Sequence, residues 1–209
     1  MGGKTVGILV KQVSKRYGST IALREVNLFF EKDRIYGLYG EMGSGKSTLL
    51  KAIAGLIDCD AGFIELSSRK NELSFLDQDK GLYNELTVIE NLQFWKGVYK
   101  KNAREIKEVV QIFEMSRILS KRVSELSAGN QQMVALATAL LNKFKVLILD
   151  EPTVSLDVKT KQCFYGFLKK NQGDSIIIMS SHNIEEIMTV CTDLIQMEYG
   201  KILSTRELR

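Results

Sequence analysis

The 209-residue sequence contains one proline, one histidine and three cysteines, and it has no long apolar run. A membrane-spanning helix needs roughly 18 consecutive apolar residues, and no stretch approaches that length. The three cysteines are odd in number and widely spaced (Cys59, Cys163 and Cys191), which argues against a disulfide framework and against a zinc site. No apolar signal region follows residues 1–5, so secretion is not expected.

Strong charge of one sign is also lacking. The net charge is +4, and most lysines and arginines are interleaved with acidic residues, a balance too mild to indicate nucleic acid as a partner. Hydrophobic residues make up 44% of the chain and charged residues 26%, which is ordinary for a globular protein. The length favours one domain with an inserted subdomain.

The most informative stretch is residues 40–48, which are Gly40, Glu41, Met42, Gly43, Ser44, Gly45, Lys46, Ser47 and Thr48. An apolar, strand-like segment precedes it and a helical segment follows, which is the context of a phosphate-binding P-loop. Glycines let the backbone turn its N–H groups toward phosphate oxygens, and the following helix N-terminus adds a favourable field. Lys46 is placed to reach the β- and γ-phosphates and Ser47 to hold Mg²⁺. The alternative, a glycine-rich turn with a chance lysine, leaves the complete pattern unexplained.

The remaining pattern predicts an α/β fold. Residues 6–13 and 21–30 read as strands separated by a turn at 14–19, and the P-loop helix is expected to reach residue 57. Short strands follow at 63–66 and 73–76. A buried-type strand at 145–149, a helix at 158–170, a strand at 175–180, a further helix to 190 and a β pair at 194–196 and 202–204 complete the chain. Alternating helices and strands indicate a parallel sheet with its ligands at the carboxyl ends of the strands.

A mostly helical segment interrupts this pattern at residues 80–143. Thr87 and Glu90 form a capping box that opens the first helix, and further helices are predicted at 103–113 and 131–141. Between residues 96 and 122 there are eight basic and three acidic side chains. A solvated helical face explains this excess, and a surface for an acidic partner is the alternative.

A second cluster of candidate residues follows the strand at 145–149. Asp150 can hold Mg²⁺ directly or through water, and Glu151 can polarise an attacking water as a general base. Two acids that merely cap the next helix are the simpler alternative, but an upstream P-loop favours the functional role. His182, the only histidine, follows the strand at 175–180, where the γ-phosphate is expected to lie. Tyr17 is either a turn aromatic or a platform on which a purine base stacks.

These motifs together resemble the ATP-binding subunit of ABC transporters over essentially the whole chain. Residues 40–48 are similar to the Walker A motif, residues 146–151 with Pro152 to Walker B, and residues 126–132 to the family signature Leu-Ser-Gly-Gly-Gln. Residues 155–157 are similar to the D-loop. The signature plus the D-loop is far more specific to this class than Walker A alone. The resemblance implies a P-loop NTPase (RecA-like) core with an N-terminal antiparallel β subdomain and an inserted α-helical subdomain.

The resemblance also implies roles for single residues. Gln78 matches the Q-loop glutamine, His182 the switch histidine and Tyr17 the adenine-stacking aromatic. Lys46, Gln78, Glu151 and His182 are then the catalytic set; Ser47, Gln78 and Asp150 hold Mg²⁺; and Asp157 contributes to the ATP site. A second ABC ATPase subunit closes over the nucleotide head to tail, with Ser127 and the Gly129 backbone acting in trans. Residues 1–79 and 144–209 then form the ATP-binding core with the β subdomain, and residues 80–143 the helical signature subdomain.

The signature departs from the family pattern at Ala128 and Asn130. Alanine is tolerated there if its φ is ordinary and is strained at positive φ. The resemblance further implies a polytopic membrane permease as partner, a peripheral position on the cytoplasmic face of the membrane, and no direct nucleic-acid contact. Residues 81–92 and 180–186 resemble bacterial exporters of the ABC-2 type, and the short tail also favours export. The alternative is a soluble ABC ATPase that acts on nucleic acid, ribosomes or iron–sulfur cluster assembly. The cargo is not encoded in these residues.

Overall fold

The computed structural model describes residues 7–208, without the side chain of Lys70. This range excludes residues 1–5, on which the expectation about secretion rests. It also excludes Val6, the first residue of the first predicted strand. The strands are β1 (Gly7–Tyr17), β2 (Thr20–Glu31), β3 (Arg34–Tyr39), β4 (Ala61–Leu66), β5 (Leu73–Leu76), β6 (Val146–Leu149), β7 (Ile176–Ser181), β8 (Asp193–Glu198) and β9 (Lys201–Glu207). The α-helices are α1 (Lys46–Ile53), α2 (Val88–Tyr99), α3 (Ile106–Ile112), α4 (Ala128–Leu141), α5 (Val158–Asn171) and α6 (Ile184–Val190).

The strands form two sheets. A three-stranded antiparallel sheet has the order β2-β1-β4, and a six-stranded sheet has the order β5-β6-β7-β3-β8-β9. In the larger sheet β5, β6, β7, β3 and β8 are parallel and β9 is antiparallel. This arrangement confirms the predicted class, an α/β P-loop NTPase core with an antiparallel β subdomain and a helical insert. The proposed subdomain limits near residues 80 and 143 stay a prediction.

The core lies on both faces of the larger sheet, as the period-2 pattern of its strands requires. On β6, Val146 and Ile148 pack into the cluster shared with the antiparallel sheet and α1. Leu147 and Leu149 point the other way, into the cluster formed with α2, α3, α4 and α5. The strand β6 is therefore buried on both faces, and its continuous apolar sequence follows from that position. Among residues 7–208, no helix is long and apolar enough to cross a bilayer.

Several predicted boundaries were wrong. The predicted turn at 14–19 is mostly strand, because β1 continues to Tyr17 and pairs with β2 around a tight turn at Gly18 and Ser19. The helix α1 ends at Ile53, four residues before the prediction, and Gly55 at φ 69 follows it as a left-handed stop. The helix α4 begins three residues earlier than predicted, because Ser127 caps its N-terminus. The capping box of Thr87 and Glu90 at the start of α2 is confirmed.

The order of the parallel strands places the predicted site residues together. The strands β5, β6, β7 and β3 are consecutive neighbours, so their carboxyl ends share one edge of the sheet. Gln78 follows β5, Asp150 and Glu151 follow β6, His182 follows β7, and the P-loop follows β3. The sequence separation of more than one hundred residues between the P-loop and Glu151 is thus closed by sheet topology alone.

Candidate nucleotide-binding site

The P-loop requires its three glycines for different reasons. Gly43 has φ 80 and Gly45 has φ 104, a left-handed backbone that side chains rarely adopt. Gly40 is needed for space instead, since a Cβ there would lie 2.3 Å from the carbonyl oxygen of Met197 on β8. The loop is consequently pressed against the neighbouring strand while its end turns into α1, whose first N–H groups have no partner within the helix.

Lys46 lies at the start of α1 and is only 6% exposed. Its Nζ donates hydrogen bonds to the carbonyl oxygens of Gly40 at 2.7 Å and Glu41 at 3.1 Å. The same nitrogen lies 4.0 Å from Oε1 of Glu151. A buried ammonium held by the loop and facing a carboxylate is placed to attract a further anion, such as a phosphate.

Gln78 lies at the end of β5, on the same edge. Its Nε2 is 3.5 Å from Oγ of Ser47, the second residue of α1. Beside this contact, Lys51 of α1 forms a 3.0 Å ion pair with Asp77. The ion pair fastens the helix to the strand end and sets the distance between Ser47 and Gln78.

Asp150 is almost fully buried and is held by β7. Ser180 Oγ donates to Oδ1 of Asp150 at 2.6 Å, and the backbone N–H of Glu151 donates to the same hydroxyl oxygen at 2.8 Å. Oδ2 of Asp150 is buried without a hydrogen-bond partner. An unpaired buried carboxylate oxygen is costly, so this atom fits a cation ligand. Among the described residues, no group of three or more His, Cys, Asp or Glu side chains is gathered for a metal.

Glu151 and His182 face each other across the ends of β6 and β7. Oε2 of Glu151 lies 3.0 Å from Nδ1 of His182. The Glu151 backbone has φ 47, an uncommon conformation for a residue with a side chain, and backbone strain of this kind is concentrated at functional sites. The side chain of Glu151 is 15% exposed and that of His182 is 61% exposed, so the pair lies at the mouth of the site.

A cavity of about 700 Å³ joins these groups. Its lining includes these predicted residues: Met42, Gly43, Ser44, Gly45, Lys46, Ser47, Thr48, Gln78, Asp150, Glu151 and His182. The structure thus brings together residues 42–48 of the P-loop, Gln78, both acids and His182. Gly40, Glu41, Tyr17, Ser127, Gly129 and Asp157 are not among its lining residues.

Tyr17 lies at the end of β1 and is 51% exposed. The ammonium of Lys15 lies 5.6 Å from the centre of its ring. The strand pairing carries the chain from Tyr17 to Thr20, Ile21 and Ala22, which do line the cavity. The sequence did not single out these three residues. Their only signal was their position just after the candidate aromatic residue.

The signature segment begins α4. Ser127 is the N-cap residue, and its Oγ accepts a hydrogen bond from the N–H of Asn130 at 3.3 Å. Ala128 is the first residue of the helix and is not among the residues with positive φ, so the substitution of glycine by alanine causes no strain. A Cβ on Gly129 would lie 2.5 Å from the carbonyl oxygen of Ser155. The absence of a side chain at Gly129 therefore allows a close contact within the chain, between the signature helix and the segment 155–157.

We expect Gly129→Ala to destabilise the fold by about 1–3 kcal/mol, because the added methyl group overlaps the Ser155 backbone. Thermal unfolding of the purified variant measures this loss. Gly97→Ala is the matched control, since a Cβ at this position in α2 meets no atom within 4 Å and alanine favours a helix. Equal melting temperatures for the wild type and Gly129→Ala would contradict the close approach.

Asp157 ends the segment 155–157 and caps α5. Its carboxylate accepts hydrogen bonds from the N–H of Thr160 at 2.8 Å and from the hydroxyl of Thr160 at 3.2 Å. The backbone hydrogen bond and then the hydroxyl hydrogen bond lower the pKa of Asp157. Within one chain its contacts are those of a helix cap.

Gln132 was also missed as a cavity residue. It lies one turn into α4, is buried, and its Nε2 donates to the carbonyl oxygen of Pro152 at 2.9 Å. This bond connects the signature helix to the loop after Glu151. The sequence placed Gln132 in the signature pattern but gave no sign that it would reach the cavity.

The sequence matches the ABC transporter family over residues 23–154, more than half of the chain. The chain belongs to the ABC transporter ATPase family. It is 36% identical to the sulfate/thiosulfate import ATP-binding protein CysA of Synechococcus elongatus over 95% of its length, and 31% identical to the ribose import ATP-binding protein RbsA of Bacillus licheniformis over 96%. The chain spans 62% of the length of CysA and 45% of that of RbsA.

Solved structures agree with this assignment. A bacterial ABC transporter cassette solved as a dimer superposes with a TM-score of 0.86 and 25% identity, covering 97% of this chain and 99% of the cassette. The same cassette in a post-hydrolysis state with ADP and Pi gives a TM-score of 0.84 at the same identity. The chain is therefore an ABC ATPase domain.

Proposed function

We propose that this ABC domain binds and hydrolyses ATP with the residues gathered at the carboxyl edge of its parallel sheet. The observation that carries the proposal is the position of Glu151 between two side chains from other parts of the sequence. Its Oε1 lies 4.0 Å from Nζ of Lys46, and its Oε2 lies 3.0 Å from Nδ1 of His182. The predicted site residues take these roles: Lys46 and the P-loop N–H groups hold phosphate oxygens, and Tyr17 stacks on the adenine.

Mg²⁺ fits the donor set of this site. Ser47, Gln78 and Asp150 supply a hydroxyl, an amide and a carboxylate, and the unpartnered Oδ2 of Asp150 is the atom that would gain most from a cation. Few protein ligands are needed, because Mg²⁺ keeps waters and binds substrate phosphates. When bound, the ion neutralises charge that develops on the transferred phosphoryl group.

The chain's own residues then orient the attacking water. Glu151 is placed to accept a proton from that water, since its Oε2 and Oε1 face His182 and Lys46. His182 holds the carboxylate in position through the 3.0 Å contact and itself lines the cavity. Lys46 stabilises negative charge on the phosphate oxygens, and this electrostatic effect is the larger part of phosphoryl-transfer catalysis.

We propose that two copies, or this chain and a second ABC ATPase subunit, close head to tail over two nucleotides. Ser127 and Gly129 do not line the cavity of their own chain but lie at the N-terminus of α4, which is suited to an anion. A partner's γ-phosphate supplies that anion. The dimeric state of the related cassette supports this arrangement.

Ser127→Arg tests the role in trans. We expect ATP hydrolysis to fall by about 100-fold or more, because the bulky cation displaces a γ-phosphate contact that closure requires. ATP binding to the monomer should stay within about twofold, since Ser127 is absent from the cavity lining. Loss of the N-cap costs about 1 kcal/mol of stability, which thermal unfolding detects.

The control for this variant is Ser116→Arg, an exposed serine elsewhere in the helical segment, which should leave hydrolysis unchanged. Hydrolysis by Ser127→Arg at the wild-type rate would show that the signature segment does not complete a partner's site.

We propose that this hydrolysis powers transport. The relatives CysA and RbsA are named as import ATP-binding proteins, and the family is that of ABC transporters. We infer a polytopic membrane permease as partner and a peripheral position on the cytoplasmic face of the membrane. The ABC-2 exporter prediction rests on residues 81–92 and 180–186 and gains no support from these import relatives. The permease itself decides direction and cargo.

Copurification tests the transport proposal. Tagged Glu151→Gln protein, which should retain ATP, is pulled down from its native membranes in mild detergent with ATP and Mg²⁺. We expect a polytopic membrane protein to copurify in stoichiometric amount. The Lys46→Ala variant, which should not close over ATP, is treated in the same way for comparison. Recovery with ribosomes, nucleic acid or soluble proteins alone would refute transport and favour the soluble ABC ATPase, with the ATP chemistry intact.

A further inference from the structure

A buried carboxylate lies behind the catalytic pair. Glu186, in the first turn of α6, is 9% exposed. Its Oε1 accepts hydrogen bonds from the hydroxyls of Thr153 at 2.5 Å and Tyr165 at 2.8 Å. Its Oε2 accepts a hydrogen bond from the hydroxyl of Ser181 at 2.7 Å. Burying a carboxylate is costly unless donors replace water, and these three hydroxyls do so.

Two of the three donors belong to the loops that carry the catalytic pair. Thr153 lies two residues after Glu151, in the loop that follows β6, and Ser181 is the last residue of β7 and directly precedes His182. Both are almost fully buried. One carboxylate therefore connects the two loops whose side chains meet at 3.0 Å.

The surroundings of Glu186 keep this connection rigid. Asn183 caps α6 by accepting from the N–H groups of Glu185 and Glu186, and its own N–H donates to Ser181 Oγ at 3.0 Å. Burial first, and then the hydrogen bond to Glu186, raise the pKa of Tyr165, so its hydroxyl stays protonated and remains a donor. The carboxylate is thus fixed by its own helix, α6, and by a hydrogen bond from Tyr165 of α5.

We propose that Glu186 is a positioning residue for ATP hydrolysis, which sets the distance between Glu151 and His182 by binding Thr153 and Ser181 at once. This inference rests on the proposed ATPase function, because the distance between Glu151 and His182 is the geometry that the proposed reaction uses. Glu186 does not line the cavity. Its effect passes through the two hydroxyls.

A purely structural carboxylate would behave differently. Removing it would lower stability and the active fraction, and the rate per active site would be unchanged. Misplacing a catalytic pair instead lowers kcat while ground-state binding of ATP persists. The two roles are therefore separated by kcat, KM and the state of His182 in variants that remain folded.

The kinetic test compares Glu186→Ala with Glu185→Ala in the full chain. Glu185 is the adjacent, exposed glutamate of the same helical turn and serves as the control. For Glu186→Ala we expect kcat to fall by about 10- to 100-fold with KM for ATP within about twofold of the wild type. Glu186→Gln, which keeps one acceptor oxygen, should restore part of the rate, and Glu185→Ala should match the wild type.

A second readout does not depend on turnover. His182 is the only histidine in the sequence, so its imidazole Cε1–Hε1 group gives a single NMR signal that needs no assignment. At fixed pH we expect Glu186→Ala to shift this signal, as Glu151→Gln does, because the contact to Glu151 is altered. Glu185→Ala should leave the signal in place.

The proposal is overturned if folded Glu186→Ala retains the wild-type kcat and the wild-type His182 signal. If Glu186→Ala fails to fold, Thr153→Val and Ser181→Ala replace it, and wild-type kcat in both would overturn the proposal equally. A wild-type protein that hydrolyses no ATP, with a His182 signal that still moves in Glu186→Ala, would refute the proposed ATPase function and uphold the connection.

Discussion

Glu151→Gln is expected to bind ATP with Mg²⁺, to hydrolyse it at least about a thousandfold more slowly than the wild type, and to accumulate as a dimer. The substitution keeps the size of the side chain and its place beside His182 and Lys46 but removes the base that takes the proton from water. Because the γ-phosphate then persists, the contacts that hold two chains closed persist with it.

Light scattering during gel filtration measures this outcome. The molar mass of Glu151→Gln should double on addition of ATP with Mg²⁺ and return to the monomer value with ADP. Glu198→Gln, an exposed glutamate on β8, is the matched control and should hydrolyse ATP normally. A Glu151→Gln variant that stays monomeric at saturating ATP would remove the main support for closure by the chain alone.

Lys46→Ala is expected to lose nucleotide-dependent function. The ammonium is buried, faces Glu151 and is held by two carbonyl oxygens of its own loop. A charge-assisted hydrogen bond contributes about 1.5–3 kcal/mol, so loss of the phosphate contact should weaken ATP binding by at least about tenfold. The transition state carries more charge at the γ-phosphate, so hydrolysis should fall to background.

Titration with a fluorescent ATP analogue measures the loss of binding, and phosphate release measures the loss of turnover. Lys11→Ala removes an exposed lysine from β1 and should alter neither quantity. Hydrolysis at the wild-type rate in Lys46→Ala would refute the assignment of the P-loop.

The sequence predicted the types of the elements and the edge of the sheet where the site lies, because both follow from local patterns. The glycine spacing indicated a loop whose backbone can turn toward phosphate, in which the structure places Gly43 and Gly45 at positive φ. The apolar run at 145–149 indicated a buried strand. The alternation of helices with such strands indicated a parallel sheet, in which ligands bind at the carboxyl ends of the strands. The order of the strands was not predicted and comes from the fold.

Other features depended on contacts that no local pattern encodes. Gly40 is required by the carbonyl oxygen of Met197, which lies more than 150 residues away in sequence. Glu186 reads from sequence as an acid in a first helical turn, where it would favour the helix dipole, and only the fold brings Thr153 and Ser181 to it. The continuation of β1 to Tyr17 was missed because residues 14–16 are all polar, and no apolar pattern marks them as strand, although this segment pairs with β2 in the fold.

The predicted direction of transport had the weakest support, because it rested largely on the likeness of two short segments. Residues 81–92 contain the capped start of α2, and residues 180–186 run from the end of β7 into the start of α6. Both helices are fixed by capping side chains, Thr87 and Asn183, whose role is local. Their sequences therefore carry little information on cargo or direction.

A structure of Glu151→Gln with ATP and Mg²⁺ shows whether two chains share each ATP. We predict a head-to-tail dimer in which Lys46 of one chain and Ser127 of the other contact the same γ-phosphate. ATP bound at Lys46 with the signature helix of every neighbouring chain far from the γ-phosphate would contradict the account.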